Sequence, residues 1–121
     1  MKTITHTYKI KATPDKVFNA LTNPQVIEQW SGAPAKMDSN SNSEFSLFGG
    51  QITGTNLEVV SNQKLVQTWP GNTKVTLSLT ANGAETVVDL LHENIPDSEV
   101  AKFDQGWQEH YLGPLQKMFA A

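Results

Sequence analysis

The sequence predicts an α+β domain: a curved antiparallel sheet of about six strands wrapped around a long C-terminal helix, with two short helices after the first strand. Three observations predict it. Residues 98–119 carry Val100, Phe103, Trp107, Tyr111, Leu115 and Met118 at spacings of three and four, a single stripe on a helix, with Lys102, Glu109 and Gln116 opposite. Residues 3–11, and most of the chain from 45 to 93, alternate apolar and polar between turn-forming residues. Between these regions, Thr13-Pro14 and Asn23-Pro24 mark two helix starts so close together that neither helix can be long.

In the first strand Ile4, His6, Tyr8 and Ile10 share one face and Thr5, Thr7, Lys9 and Lys11 the other, which turns His6 and Tyr8 inward. Val17, Phe18 and Leu21 form the apolar edge of the first short helix. Val26, Ile27 and Trp30 form that of the second, which ends before Ser31-Gly32. Helices this short are marginal alone and must dock on the sheet. The polar run Asp38-Ser39-Asn40-Ser41-Asn42-Ser43 is a solvated loop. Strands follow at 45–48, 52–60, 64–69, 75–80 and 86–93, broken by Gly49-Gly50, Ser61-Asn62, Pro70-Gly71-Asn72 and Asn82-Gly83. The last break is a hairpin signal in which both residues tolerate positive φ. Val75, Leu77 and Leu79, then Val88, Leu90 and His92, give these strands one core face. Pro114 cannot donate to the carbonyl of His110 and predicts a bend there. Gly106 and Gly113 share a flank of the helix, where they would admit a neighbouring element or widen a cavity. The stretch Gly49-Gly50…Gly54 has no lysine partner and leads into a strand, so it reads as a bulge or tight corner, not a phosphate loop.

The 121 residues make one domain, 1–121, large enough for a core without metal or disulfide. The absence of cysteine excludes thiol catalysis, cysteine-ligated zinc and iron–sulfur clusters. All nine basic residues are lysines, scattered along a chain of net charge −3. Without arginine or a basic cluster, nucleic-acid binding is not expected. The N-terminal residues lack the apolar core of a signal peptide and no apolar run could span a bilayer, so the expectation is a cytoplasmic protein without membrane insertion.

The pattern A-T-P-D-K-V-F-N-A-L-T-N-P from Ala12 to Pro24, followed by Trp30, resembles the opening of the helix-grip superfamily that includes START domains and the birch-pollen allergen. Ala33-Pro34-Ala35, the F-x-L-F-G-G-x-I-x-G run from Phe45 to Gly54, Leu65 to Trp69, Asn94-Ile95-Pro96 and Gly106-Trp107-Gln108…Tyr111 resemble the C-terminal domain of the heat-shock-protein-90 ATPase activator family. The resemblance covers essentially the whole chain. It implies a sheet gripping the C-terminal helix, with a cavity between them in many relatives, and a heat-shock-protein-90-type chaperone and the stress response as a setting. Two features depart from the pattern. The activator's separate chaperone-anchoring N-terminal domain has no counterpart in these residues, and its longer excursion after Trp69 is here only Pro70-Gly71-Asn72.

If the first and last strands pair, His6, Tyr8 and His92 converge with Trp107, His110 and Tyr111 into a polar cluster inside an apolar cleft. Three imidazoles would suit a metal, but no close His spacing supports one. A histidine with Glu93 or Asp89 could move protons, yet Asp89 should face outward and no nucleophile motif accompanies it. One or two polar groups in an apolar pocket match a small-molecule site, while any single histidine, and Trp107 and Tyr111 on spacing alone, reads first as a structural core residue. The expectation is non-catalytic binding of a small apolar or lipid-like molecule, with His6, Tyr8, Trp30, Phe45, Trp69, His92, Phe103, Trp107 and Tyr111 as cavity candidates and neither cofactor nor metal. The alternatives are a chaperone-associated interaction module using the loop at 32–44, and an enzyme acting in the cavity.

Overall fold

A computed structural model describes residues 1–120. Six strands form one antiparallel sheet: β1 (Lys2–Ile10), β2 (Ser43–Leu47), β3 (Ile52–Val60), β4 (Lys64–Trp69), β5 (Thr73–Asn82) and β6 (Glu85–Ile95), in the order β1-β6-β5-β4-β3-β2. Only the β1–β6 pairing joins strands distant in sequence, setting Tyr8 opposite Val88 and His6 opposite Leu90. Helices α1 (Pro14–Thr22) and α2 (Pro24–Ser31) follow β1, each with proline in its first turn. Asn23 caps α2 by accepting from the Gln25 N–H, and Gly32 ends it in the left-handed region at φ 73°. Thr13 stands at the α1 cap position, but its hydroxyl donates to Asp15 instead of capping.

The β3 and β4 bounds match the sequence reading, while β5 and β6 run further at both ends. The β5–β6 ladder extends to Asn82 opposite Glu85, so the hairpin loop is Gly83-Ala84 and Asn82 belongs to the strand. Of the expected Asn-Gly pair only Gly83 adopts positive φ. A bulge at Leu57 interrupts the β3–β4 ladder and leaves that side chain exposed. The tight corner is the left-handed turn Phe48–Gly50, whereas Gly54 lies within β3 and admits a close approach, since a Cβ there would lie 1.9 Å from the Thr68 carbonyl oxygen.

The core fills the concave face. Leu65, Val75, Leu77, Val88 and Leu90 from the sheet meet Phe18, Leu21, Ile27 and Trp30 from α1 and α2 and Trp107, Tyr111, Leu112 and Leu115 from the C-terminal helix. Each such large side chain contributes roughly 1.5–3 kcal/mol on burial. Val100, Phe103 and Met118, the outer members of the stripe, are half-buried against this cluster.

The C-terminal helix departs from the expected regular helix with a bend at Pro114. It runs as α3 (Val100–Gly106), a π-helical turn (Trp107–Tyr111) and α4 (Leu112–Met118). Leu112 donates its N–H to the Trp107 carbonyl five residues back. Proline at 114 supplies no N–H to His110 and crowds its carbonyl, and an extra residue in the preceding turn relieves both conflicts. Gly113 makes this possible within its own helix, since a Cβ there would stand 2.1 Å from the Gln108 carbonyl oxygen. The wider turn brings Leu112 into the core beside Tyr111. Among the described residues, no helix is long and apolar enough to cross a membrane.

Candidate functional site

An open cleft of about 610 Å³ lies where α3 crosses the end of β4. Ala33, Phe48, Ile52 and Trp69 line it together with Phe103, Gly106, Trp107 and Tyr111 of the helix. Gln51, Lys102, Gln105 and His110 supply the polar lining. Gly106 widens this cleft: a Cβ there would meet nothing within 4 Å.

The aromatic wall is held from behind. Trp69 and Trp107 stack with ring centroids 4.6 Å apart and planes 23° from parallel. The Trp69 indole N–H donates to Gln67 Oε1 at 2.9 Å, Gln67 Nε2 donates to Asn56 Oδ1 at 2.8 Å, and Asn56 Nδ2 donates to Ser43 Oγ and the Asp38 carbonyl. Gln67 and Asn56 are fully buried, and this amide relay ties the cleft to the polar loop before β2. On the other side, the Trp107 indole N–H donates to His92 Nδ1 at 3.0 Å. That bond leaves the proton on His92 Nε2, which donates to Thr73 Oγ1 at 2.9 Å, and the threonine hydroxyl in turn donates to the Pro70 carbonyl. Burial without a charged partner lowers the His92 pKa to about 4, so the ring is neutral and both nitrogens are engaged.

The structure brings together four of the sequence candidates, Trp69, Phe103, Trp107 and Tyr111. Trp30 backs Tyr111 with ring centroids 4.7 Å apart, its indole N–H bonded to the Ala20 carbonyl, and Phe45 is core. The three histidines do not converge. His92 is sealed behind Phe103 and Trp107, His110 is exposed on the lining, and His6 pairs through Nε2 with Asp104 Oδ1 at 2.7 Å, with Tyr8 edge-on beside it. Alternation fixed their faces but not which side of the crossing helix each would meet. Among the described residues, no group of three or more metal-ligating side chains is close enough to hold an ion. Phe48, Ile52 and the Gln67–Asn56 relay were not anticipated. The signal available for Phe48 was its place before Gly49-Gly50, where the chain must turn sharply.

Residues 11–120 match the family model described as activator of Hsp90 ATPase homolog 1-like protein. The chain belongs to that family. It is 25% identical over 131 residues to an activator of 90 kDa heat shock protein ATPase homolog from Dictyostelium discoideum, a match covering 98% of this chain and 34% of the relative. The human activator of 90 kDa heat shock protein ATPase homolog 1 is 24% identical over 115 residues, 88% of this chain and 34% of that protein. The chain thus spans about a third of these curated relatives. Among solved structures, an HSP90 activator from Plasmodium falciparum superposes with a TM-score of 0.90 at 24% identity, covering 98% of this chain and 96% of that one. The Aha1 dimer from Colwellia psychrerythraea gives 0.87 at 21%, with the same coverage. The sheet-and-helix architecture of this activator-homologue domain is therefore that of its family.

Proposed function

We propose that this activator-homologue domain binds a small apolar molecule in the cleft between sheet and C-terminal helix and performs no covalent chemistry on it. The observation that carries this reading is the cleft itself: five aromatic side chains, two of them anchored by saturated hydrogen-bond chains, around a space the size of a small-molecule site. Proton transfer in the cleft has little support, because both nitrogens of His92 are bonded behind the aromatic wall and the His6–Asp104 pair lies outside the lining. Native mass spectrometry of the protein purified gently from extract tests the reading. A reproducible one-to-one adduct released on denaturation supports it. A bare mass, together with failure of lipid and aromatic panels to bind, refutes it.

Family membership favours a second reading, a cytoplasmic chaperone-associated module acting on an Hsp90-type ATPase. Its surface would be the exposed loop between α2 and β2, which the amide relay braces. Substitutions at exposed Asp38 or Asn40 should then reduce stimulation of the chaperone ATPase while cleft substitutions leave it intact. The opposite pattern would refute this assignment.

A further inference from the structure

Tyr111 is 2% exposed, and its hydroxyl is a buried side-chain oxygen without a hydrogen-bond partner. Folded proteins leave few such groups. The neighbouring rings cannot satisfy it, because the indole N–H groups of Trp30, Trp69 and Trp107 are committed to Ala20, Gln67 and His92. A second anomaly lies against the first. Phe48, whose ring centroid is 6.5 Å from that of Tyr111, sits at φ 54°, a left-handed conformation that bulky side chains rarely adopt, and Gly49 and Gly50 continue it at 67° and 96°. Strained backbone of this kind concentrates at ligand clamps and switch segments. The turn is held lightly, by Gly49 N–H to the Pro34 carbonyl at 3.0 Å and a long 3.4 Å bond from Gln51 N–H to the Phe48 carbonyl.

We infer that Tyr111 is the polar anchor of the cleft, its hydroxyl donating to a neutral carbonyl oxygen on a flat apolar ligand that reaches it by displacing the Phe48 ring. This rests on the cleft-binding reading above and adds the chemical class of the ligand. Flatness follows from the ring-lined walls around the Trp69–Trp107 stack. The phenol acts as donor because burial raises its pKa and keeps it protonated. Neutrality follows from charge. Lys102, the lysine of the lining, is largely exposed and pairs with Glu99 at 3.8 Å, so a carboxylate drawn down to Tyr111 would lie buried without a counter-charge.

Titration of intrinsic tryptophan fluorescence with three probes of one shape, acetylnaphthalene, ethylnaphthalene and naphthoate, tests the inference. The ketone should bind the wild-type domain about tenfold more tightly than the hydrocarbon, since it satisfies an otherwise orphaned donor. Tyr111→Phe should erase that advantage and leave hydrocarbon affinity within about twofold. Equal binding of ketone and hydrocarbon, or an advantage that survives Tyr111→Phe, overturns the anchor and leaves the cleft reading standing. Tightest binding of naphthoate overturns the neutral class in favour of the Lys102 rim. If no probe binds the wild-type domain, the flat carbonyl class is overturned, and the cleft reading is decided by the mass measurement above.

Discussion

Replacing Tyr111 by phenylalanine removes one oxygen atom from the interior and leaves the ring among Trp30, Trp69 and Trp107. The native hydroxyl is desolvated with no partner, a state that costs about 1–3 kcal/mol relative to water. Against this stands the small void left by the lost atom, about 0.5 kcal/mol at the usual cost per unit of cavity volume. The balance predicts that Tyr111→Phe stabilises the unliganded domain by about 1 kcal/mol, or ~4 °C in Tm for a domain of this length. Urea unfolding followed by tryptophan fluorescence reads it as a higher midpoint at unchanged slope. A variant less stable than the wild type by a similar amount would show that the hydroxyl is hydrogen-bonded in solution, and the reasoning about the anchor would collapse with it.

Four further predictions concern the frame of the site. His92 has a pKa near 4 in the fold against an ordinary value of 6.5, so below pH 6.5 the unfolded chain takes up a proton that the folded chain refuses. Stability should therefore fall by about 2–3 kcal/mol as pH drops from 6.5 to 4, and the slope in that window should flatten in His92→Gln. Gly113→Ala should cost about 1–3 kcal/mol although alanine is the better helix former, because its Cβ meets the Gln108 carbonyl; thermal melts check it. Gly106→Ala should instead gain about 0.5–1 kcal/mol, since its Cβ meets nothing, while narrowing the cleft for any probe. Gln67→Leu orphans the Trp69 indole N–H and Asn56 Oδ1 and should cost about 1–3 kcal/mol per group, with a shifted tryptophan emission.

Turn residues made the strands readable. Ser61-Asn62 and Pro70-Gly71-Asn72 bracket β4 so tightly that its limits follow from the sequence. β5 and β6 escaped full delineation because Thr73, which pairs with Trp69, and Asn82 and Glu85, which pair with each other, are polar and add nothing to an apolar pattern. In the cleft, Trp69, Phe103, Trp107 and Tyr111 follow from strand and helix periodicity. Phe48 and Ile52 do not, since they reach the cleft through a left-handed turn whose direction no alternation encodes. The histidines show the same limit. Ile4 lies opposite His92, which places His6 close by on the adjacent strand, yet the helix divides them by presenting Asp104 to one and Trp107 to the other.

The π-helical turn makes the C-terminal segment a counted length of chain. A regular helix covering the same span would need one residue fewer between Trp107 and Leu112. Deleting one residue from 108–110 would therefore leave Leu112 and Leu115 facing the core, because a regular turn of about 3.6 residues completes the rotation that the π turn spreads over about one residue more. The cost would fall on Pro114, whose ring in a regular helix crowds the carbonyl four residues back. Relatives that keep the proline should therefore also keep the extra residue, and relatives without it should tolerate the shorter count.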